Sequence, residues 1–352
     1  MKKNNYNTIK ICIRSLKRIG GNLKRRHLII CFVVTLLILV VALIYKESNQ
    51  QSEKINTQEL TEIEDEPVTP SKVKESKKDL IEERSEETEE EYTEALEEIR
   101  LIYPEGSTLE TRILTPEGFV RISASEDSLL TFLRNLELKP DGSPVMLYDN
   151  TEKGNQSAQA AVFAFDVGES DLQQCADSIM RVYGEYYWSI GAYEAIGFHL
   201  TNGFFMDYLT WREGKRIKVN GNTVSWVSSK GYDDSYDCFR SYLKQVMVYA
   251  GTLSLNEEST TIEKEDIQAG DIIIKGGSPG HCVLVVDVAQ DQSGEQCYLL
   301  AQGYMPAQDF HILNNPVNPG NPWYYEEDLE YPIRTPEYTF GEDSIKRWGK
   351  GF

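Results

Sequence analysis

The chain has 352 residues, and its 36 Lys and Arg against 56 Asp and Glu give a net charge of −20 at pH 7. This acidity argues against DNA or RNA as a partner, because a nucleic-acid backbone requires a positive surface. With 40% hydrophobic residues, the chain is also long enough for one large domain or two small ones, which excludes disorder throughout.

An uncharged apolar segment lies close to the N-terminus. Residues 1–27 carry nine Lys or Arg and no acid, and residues 28–45 read LIICFVVTLLILVVALIY. As a helix, this segment would be about 27 Å long, close to the hydrocarbon thickness of a bilayer. No small-residue cleavage site follows it before Lys46, which favours an uncleaved anchor over a signal peptide. The basic flank predicts a single-pass membrane protein with a cytoplasmic N-terminus and an extracytoplasmic C-terminal domain.

An acidic stalk and a globular domain are predicted beyond the anchor. Residues 46–91 contain few apolar residues and no aromatic one, so they cannot bury enough surface to offset chain entropy. The stalk is assigned to residues 46–103, with a helix over 86–102 leading out of it. From residue 104 to 352 aromatic residues and Gly/Pro punctuation are dense, which is typical of a folded domain.

The first half of this domain alternates strand-like and helix-like segments. Strands are predicted in GFVRIS, VMLY, AAVFAFDV and AIGFHL, and a helix over residues 125–136. A longer helix is predicted to begin at Asp171, in DLQQCADSIMRVYGEYYW. Its helical period places Cys175 on the buried face, as an ordinary core residue.

The second half begins with a helix over residues 234–251 and continues with three strands. The strands are DIIIK (271–275), HCVLVVDV (281–288) and QCYLLAQ (296–302), and the turn DQSGE makes the last two a hairpin. A helix followed by an antiparallel meander predicts an α+β fold, with an antiparallel sheet and packed helices.

Four cysteines lie in the predicted extracytoplasmic part: Cys175, Cys238, Cys282 and Cys297. Four in so large a domain do not form a disulfide framework. Cys282 and Cys297 stand on the two arms of the hairpin and could pair, but buried free cysteines are the simpler expectation.

Cys238 is the predicted nucleophile. It stands near the start of a helix, where the helix dipole and free N–H groups lower the pKa of a thiol. His281 opens a strand after the turn GGSPG and is the predicted base. Gln302 at the end of the next strand would orient its imidazole, with His311 or Asp309 as alternatives. The competing interpretation is that Cys238 only packs among its aromatic neighbours.

At these residues the chain resembles the catalytic half of NlpC-type papain-like cell-wall peptidases. The similar segment is AGDIIIKGGSPGHCVLVVDVA (269–289), within residues 233–303. In that family a cysteine at a helix start attacks a peptide carbonyl, a histidine at a strand start is the base, and a third polar residue orients it. The resemblance implies these roles for Cys238, His281 and Gln302. The family usually has Ser and a small residue after the cysteine, where this chain has Phe239 and Arg240.

Over its whole folded length the chain is similar to a bacterial family known only as a domain of unknown function. The similarity lies in LRNLELKPDGSPVMLYD, DLQQCADSIMRVYGEYYW, FRSYLKQVMVYAGTLSL and LLAQGYMPAQDFHILNNP. A cysteine at position 238 is not one of the features of this family. The similarity implies a shared site around His281, Gln302, Gln308 and Asp309. The predicted substrate-binding residues are Tyr304, Gln308 and Asp309.

Two functions follow as expectations. The first is a cysteine hydrolase that cleaves amide bonds of cell-wall peptide. The second is a non-catalytic module on the same scaffold that binds wall peptide or sugar. We expect no cofactor and no metal, since the sequence contains neither HExxH nor a CxxC pair. It also lacks the glycine-rich nucleotide-binding motifs and GxSxG.

Overall fold

The computed structural model describes residues 101–349. The predicted basic tail, the anchor at residues 28–45 and the stalk up to residue 100 lie outside the described residues. Within the described range, none of the helices is both long and apolar enough to cross a bilayer. Ile102, at the end of the predicted entry helix, instead forms a β-bridge with Ile113.

The elements of the described chain are short helices and many strands. The α-helices are α1 (Leu109–Arg112), α2 (Leu129–Arg134), α3 (Cys175–Ser189), α4 (Tyr208–Arg212), α5 (Tyr236–Tyr249) and α6 (Thr252–Glu257). The strands are β1 (Val120–Arg121), β2 (Gln159–Val162), β3 (Gly197–His199), β4 (Phe205–Asp207), β5 (Lys215–Asn220), β6 (Thr223–Ser228), β7 (Ser259–Thr261), β8 (Ile272–Lys275), β9 (His281–Gln290), β10 (Gln296–Gln302), β11 (His311–Leu313), β12 (Trp323–Tyr325), β13 (Ile333–Arg334), β14 (Thr339–Phe340) and β15 (Ile345–Trp348). Single 3₁₀ turns occupy Tyr193–Ala195, Lys264–Asp266 and Glu326–Leu329.

A nine-stranded antiparallel sheet forms the centre of the fold. Its main path runs β2-β11-β10-β9-β8-β15-β7, with β1 added to β9 and β12 added to β10. The strands β9 and β10 are the predicted hairpin, with Tyr298 opposite Val288 and Ala301 opposite Leu284. Almost every residue of these two strands is buried, because the sheet is covered on both faces there. The predicted α+β class with an antiparallel sheet is therefore confirmed.

Helix α3 contacts β9 on one side and helix α5 on another. Tyr183 of α3 stacks on Trp348 of β15, with ring centroids 4.7 Å apart, and its hydroxyl donates to the carbonyl of Gly270. On the other side α5 comes close to α3 at Gly184, where an added Cβ would lie 3.2 Å from Leu243. The long helix of the first half thus lies directly against the strand that begins with His281.

The helix predicted to begin at Asp171 begins at Cys175 instead. Leu172, Gln173 and Gln174 are not helical, and the N–H of Gln174 donates to the Asp177 carboxylate at 3.2 Å. The apolar period of the sequence includes Leu172, and for this reason it extended the predicted helix by one turn. This difference moves Cys175 from a helical face to the first position of the helix.

All four cysteines of the described chain are free thiols. Cys297 lies opposite Ala289, not Cys282, in the β9–β10 ladder. The expectation of buried, unpaired Cys282 and Cys297 is thus confirmed.

Candidate active site

Strands β9 and β10 bring His281 and Gln302 together. His281 is the first residue of β9 and Gln302 the last of β10, and both are buried. Because Ala301 pairs with Leu284, the register leads Gln302 towards Val283, which shares a strand face with His281. The Nε2 atom of His281 lies 2.7 Å from the Oε1 atom of Gln302. An amide oxygen only accepts, so the imidazole carries its hydrogen on Nε2 and leaves Nδ1 for another partner.

Cys175, not Cys238, is the thiol beside this histidine. The side chains of Cys282 and His281 are close enough to the Cys175 thiol for both to lower its pKa. Cys175 is half-buried as a residue, whereas Cys282 is fully buried. Cys175 is partly buried and packs against the core, as predicted, but it is the first residue of α3, which begins one turn later than its apolar period indicates.

The start of α3 is held close to the end of β10. The carbonyl of Gln174 accepts from the N–H and the hydroxyl of Ser178, at 3.0 and 2.8 Å. At Gly303, directly after Gln302, a Cβ atom would lie 2.3 Å from the Ser178 hydroxyl. Only glycine allows this approach, and the approach places the first residue of α3 beside the two strand ends.

The pKa of the Cys175 thiol is lowered well below its ordinary value. The largest cause is the hydrogen bond with Cys282, and the hydrogen bond and charge of His281 act in the same direction against the effect of burial. Burial raises the pKa of Cys282 well above its ordinary value, so Cys282 remains a thiol that donates to Cys175. The first turn of a fifteen-residue helix also favours a negative charge at this position.

A carboxyl group close to the thiol does not oppose this thiolate. Asp177 is buried two residues after Cys175, and burial, followed by the charge of Cys175, raises its pKa well above the ordinary value. A raised pKa favours the neutral acid. Asp177 therefore adds no second negative charge directly beside the Cys175 sulfur.

Aromatic rings enclose the imidazole of His281. The ring of Tyr304 lies edge-on at 4.7 Å, and those of Tyr338 and Phe340 lie at 5.1 and 5.9 Å. Tyr338 and Phe340 belong to the β13–β14 hairpin. Tyr304 and Tyr338 are half-buried, so parts of both rings face solvent next to the site. They are the candidate walls for a substrate.

Cys238 has a different environment. It lies in the first turn of α5, where its N–H donates to Ser235, and its thiol contacts Trp211 and Arg216. Burial is the main cause that raises its pKa. Among residues 101–349, no hydrogen bond or electrostatic interaction joins Cys238 to His281, and α3 packs against both α5 and strand β9. Cys238 is thus not placed where the predicted nucleophile must be.

Of the other predicted residues, Asp309 and His311 have polar partners. Asp309 accepts from Lys139 Nζ at 2.6 Å and from the N–H of Met146 at 2.8 Å. Gln308 is fully buried, and neither polar atom of its side-chain amide has a hydrogen-bond partner among the described residues. His311 lies 3.4 Å from the amide nitrogen of Gln302, and its Nδ1 donates to the carbonyl of Asp309. Burial lowers the pKa of His311 to about 3, which keeps it neutral. Gln302 therefore holds the place beside His281 for which His311 and Asp309 were alternatives.

The sequence does contain a signal for Cys175. It follows two glutamines, and an apolar helical period continues after it. Polar residues directly before a helical period are typical of a helix N-terminus.

We expect iodoacetamide to alkylate Cys175 of the full-length protein at pH 6 while leaving Cys238 unmodified. Thiolates react and thiols do not, and the pKa values of the two residues are displaced in opposite directions. Site-resolved mass spectrometry over a time course gives the two rates. Equal rates at pH 6, or a faster rate at Cys238, would contradict the assignment of the reactive thiol.

Denatured protein provides the control for this labelling. In urea both cysteines should react at one rate, and that rate should rise about tenfold per pH unit below the ordinary pKa of a thiol. The selectivity for Cys175 must therefore disappear with the fold.

Comparison with known proteins identifies a family whose description names no activity. A family model described as Domain of unknown function (4846) matches residues 109–347, well over half of the chain and all of the residues at the site. The chain matches none of the curated proteins and none of the solved structures. The resemblance to NlpC-type peptidases stays a prediction. On the extent of the family match, the chain belongs to the family described as Domain of unknown function (4846).

Proposed function

We propose that this protein is a cysteine hydrolase that cleaves amide bonds of cell-wall peptide, with Cys175 as nucleophile, His281 as general base and acid, and Gln302 as the residue that orients His281. One observation carries the proposal. A half-buried thiol stands at a helix start that is held against the strand ends at Gly303, close enough to His281 for the imidazole to lower its pKa, and Nε2 of that imidazole lies 2.7 Å from the Gln302 amide oxygen. The nucleophile, the base and the orienting group are then neighbours in space in that order, as acyl transfer requires.

In the first step the Cys175 sulfur attacks the carbonyl carbon of the scissile amide. A C–S bond forms and the carbonyl electrons move to oxygen. As the first residue of α3, Cys175 has no intrahelical acceptor for its backbone N–H, which is free to donate to this oxyanion. His281 gives its proton to the leaving nitrogen, the C–N bond breaks, and a thioester and a free amine result.

In the second step water releases the acyl group. His281, now neutral, takes a proton from water, and the hydroxide adds to the thioester carbon. The C–S bond breaks, the acid product leaves, and the sulfur and imidazole again share one proton. Throughout both steps the amide of Gln302 accepts from Nε2 and keeps Nδ1 directed towards the sulfur.

The scaffold supports the papain-like interpretation with a changed cysteine. A helix that starts with cysteine packs on an antiparallel strand that starts with histidine, as the resemblance implies. The resembling segment, residues 233–303, contains the histidine and the glutamine but not this cysteine. The thiol of Cys238, by contrast, does not interact with His281, so we transfer the nucleophile to Cys175.

Wall peptide as substrate rests on the predicted location. The anchor at residues 28–45 and its basic flank favour a C-terminal domain outside the cytoplasm, where wall polymers are the abundant amides.

Incubation of full-length protein with soluble wall peptides tests the function. We expect two fragments whose masses add up to the substrate plus one water, with a new amino group on one of them. Pull-down on purified wall material separates the two functions. Binding that requires His281 but not Cys175, with no peptide cleaved, would replace the hydrolase by a binding module whose Tyr304 and Tyr338 rings stack on the ligand.

A further inference from the structure

The amide of Gln302 is held from its far side by a glutamate. Its Nε2 donates to Glu337 Oε2 at 2.7 Å, while its Oε1 faces His281. Glu337 lies in the turn of the β13–β14 hairpin, directly before Tyr338, which packs on the imidazole. One short hairpin thus contacts both the base and the residue that orients it.

Glu337 is itself fixed by polar partners. Lys153 donates to Oε2 and Asn155 to Oε1, the latter at 3.2 Å. The side chains of Glu337 and Lys153 are 12% and 7% exposed, so the ion pair is largely removed from water. A buried carboxylate with a paired lysine has little freedom to turn, which makes it a firm acceptor for Gln302.

The orientation of the glutamine amide decides which nitrogen of His281 carries hydrogen. With Glu337 accepting from the Gln302 nitrogen, the amide oxygen must face His281 and accept from Nε2. A flipped amide would direct its oxygen at the Glu337 carboxylate and its N–H groups at His281. Nε2 would then have to accept, Nδ1 would carry the hydrogen, and no free base would face Cys175 in the water step.

We propose that Glu337 is a positioning residue of the active site: through Gln302 it holds His281 as the Nε2–H tautomer with Nδ1 directed at Cys175, and Lys153 balances its charge. The proposal rests on the proposed function for its catalytic meaning. His311 also holds the Gln302 amide, but more weakly. Its Nε2 lies 3.4 Å from the Gln302 amide nitrogen, and its Nδ1 donates to the carbonyl of Asp309.

The test compares Glu337→Ala with Glu337→Gln in the full-length protein. The first readout is the rate of Cys175 alkylation by iodoacetamide across pH, which needs no substrate. In Glu337→Ala we expect the pH of half-maximal rate to rise by about one unit, because a loosely held imidazole stabilises the thiolate less. Glu337→Gln retains an acceptor for the Gln302 amide and should restore most of the wild-type profile.

Hydrolysis of wall peptide is the second readout. Glu337→Ala should lower kcat/KM roughly tenfold to a hundredfold, the range found when an outer hydrogen-bond partner of an active group is removed at other sites. The loss should be mainly in kcat, because Glu337 does not touch the substrate in this mechanism.

Glu258→Ala is the matched control. Glu258 is also a partly buried glutamate, with 11% side-chain exposure, and it accepts from the indole of Trp348 and the N–H of His199 away from the site. Its loss should lower the melting temperature without moving the alkylation profile. If the lone buried lysine unfolds Glu337→Ala, adding Lys153→Met to Glu337→Ala removes both charges, and the double variant should show the same shift of the alkylation profile.

The outcomes separate the two proposals. A normal alkylation profile in folded Glu337→Ala overturns the positioning role and leaves the hydrolase intact. A Cys175 that is never alkylated overturns both. A shifted profile in a protein that cleaves no wall peptide retains the positioning role and removes the proposed substrate. An equal shift in Glu258→Ala would show a general loosening of the fold and overturn the positioning role.

Discussion

Replacing Cys175 with alanine should lower the rate of wall-peptide cleavage by roughly 10⁴-fold or more, because the acyl-enzyme can no longer form. Neither of the nearest groups can substitute. Cys282 is fully buried and burial raises its pKa, and the Asp177 carboxyl is buried as well. The measurement is the initial rate of fragment appearance at saturating substrate, with binding of the same peptide followed separately. Binding should survive, since alanine removes only the sulfur.

Cys238→Ala is the control for this experiment. Cys238 is a buried cysteine in the first turn of a helix. Its replacement removes the same sulfur atom at a position that does not interact with His281. We expect unchanged activity and a modest loss of stability from the small cavity next to Trp211. Activity lost in Cys238→Ala and kept in Cys175→Ala would reverse the assignment of the nucleophile.

The central strands β8, β9 and β10 were predictable because their signals are local. The segments 271–275, 281–288 and 296–302 are apolar runs separated by turn residues, and the observed strands β8, β9 and β10 differ from them by at most two residues at each end. The pairing of His281 with Gln302 follows from this hairpin, since the start of one strand meets the end of the next. Both residues could therefore be proposed from the sequence.

The proposed nucleophile lies on a different helix from the predicted one, and the reason is again local. Leu172 continues the apolar period of α3 backwards, so periodicity alone cannot show that the helix begins at Cys175. Cys238 looked like a helix-start cysteine, and it is one. Which of the two helices lies against β9 is a property of tertiary packing, and no pattern near either cysteine encodes it.

The groups behind the site were beyond prediction for a different reason. Glu337 and Lys153 are 184 residues apart, and each stands in a loop whose sequence is typical of an exposed turn. The chain is rich in acids, so one glutamate is not distinguished from the others by its neighbours. Their burial against each other exists only once the sheet has formed.

A second long-range charge cluster holds the N-terminal elements on strand β9. Asp287 is fully buried, and its two oxygens accept from Arg121 Nε at 2.6 Å and Arg134 Nε at 2.8 Å. The two guanidinium groups also donate to the carbonyls of Ile113 and Ile122. In the sequence Asp287 is only a polar residue in an apolar strand, because its partners are more than 150 positions away.

Asp287→Ala should lower the free energy of unfolding by about 3–5 kcal/mol, because it leaves two guanidinium groups of low exposure without their counter-charge. Urea denaturation followed by circular dichroism gives this value from the midpoint and slope. Asp287→Asn keeps an acceptor for one arginine and removes the charge, so its loss should be smaller. The alkylation of Cys175 should be unchanged in variants that remain folded, since the cluster lies on β9 away from His281.

Asp271→Ala is the comparison that separates desolvation from simple contact loss. Asp271 is equally buried and accepts from both Nε and Nη2 of Arg347 at 2.8 Å, but that arginine is 30% exposed. After truncation Arg347 can regain water, whereas Arg134, at 7% exposure, cannot. We therefore expect Asp271→Ala to lower the free energy of unfolding clearly less than Asp287→Ala does. Equal losses would mean that the hydrogen bonds themselves, and not the stranded charges, determine the stability of this fold.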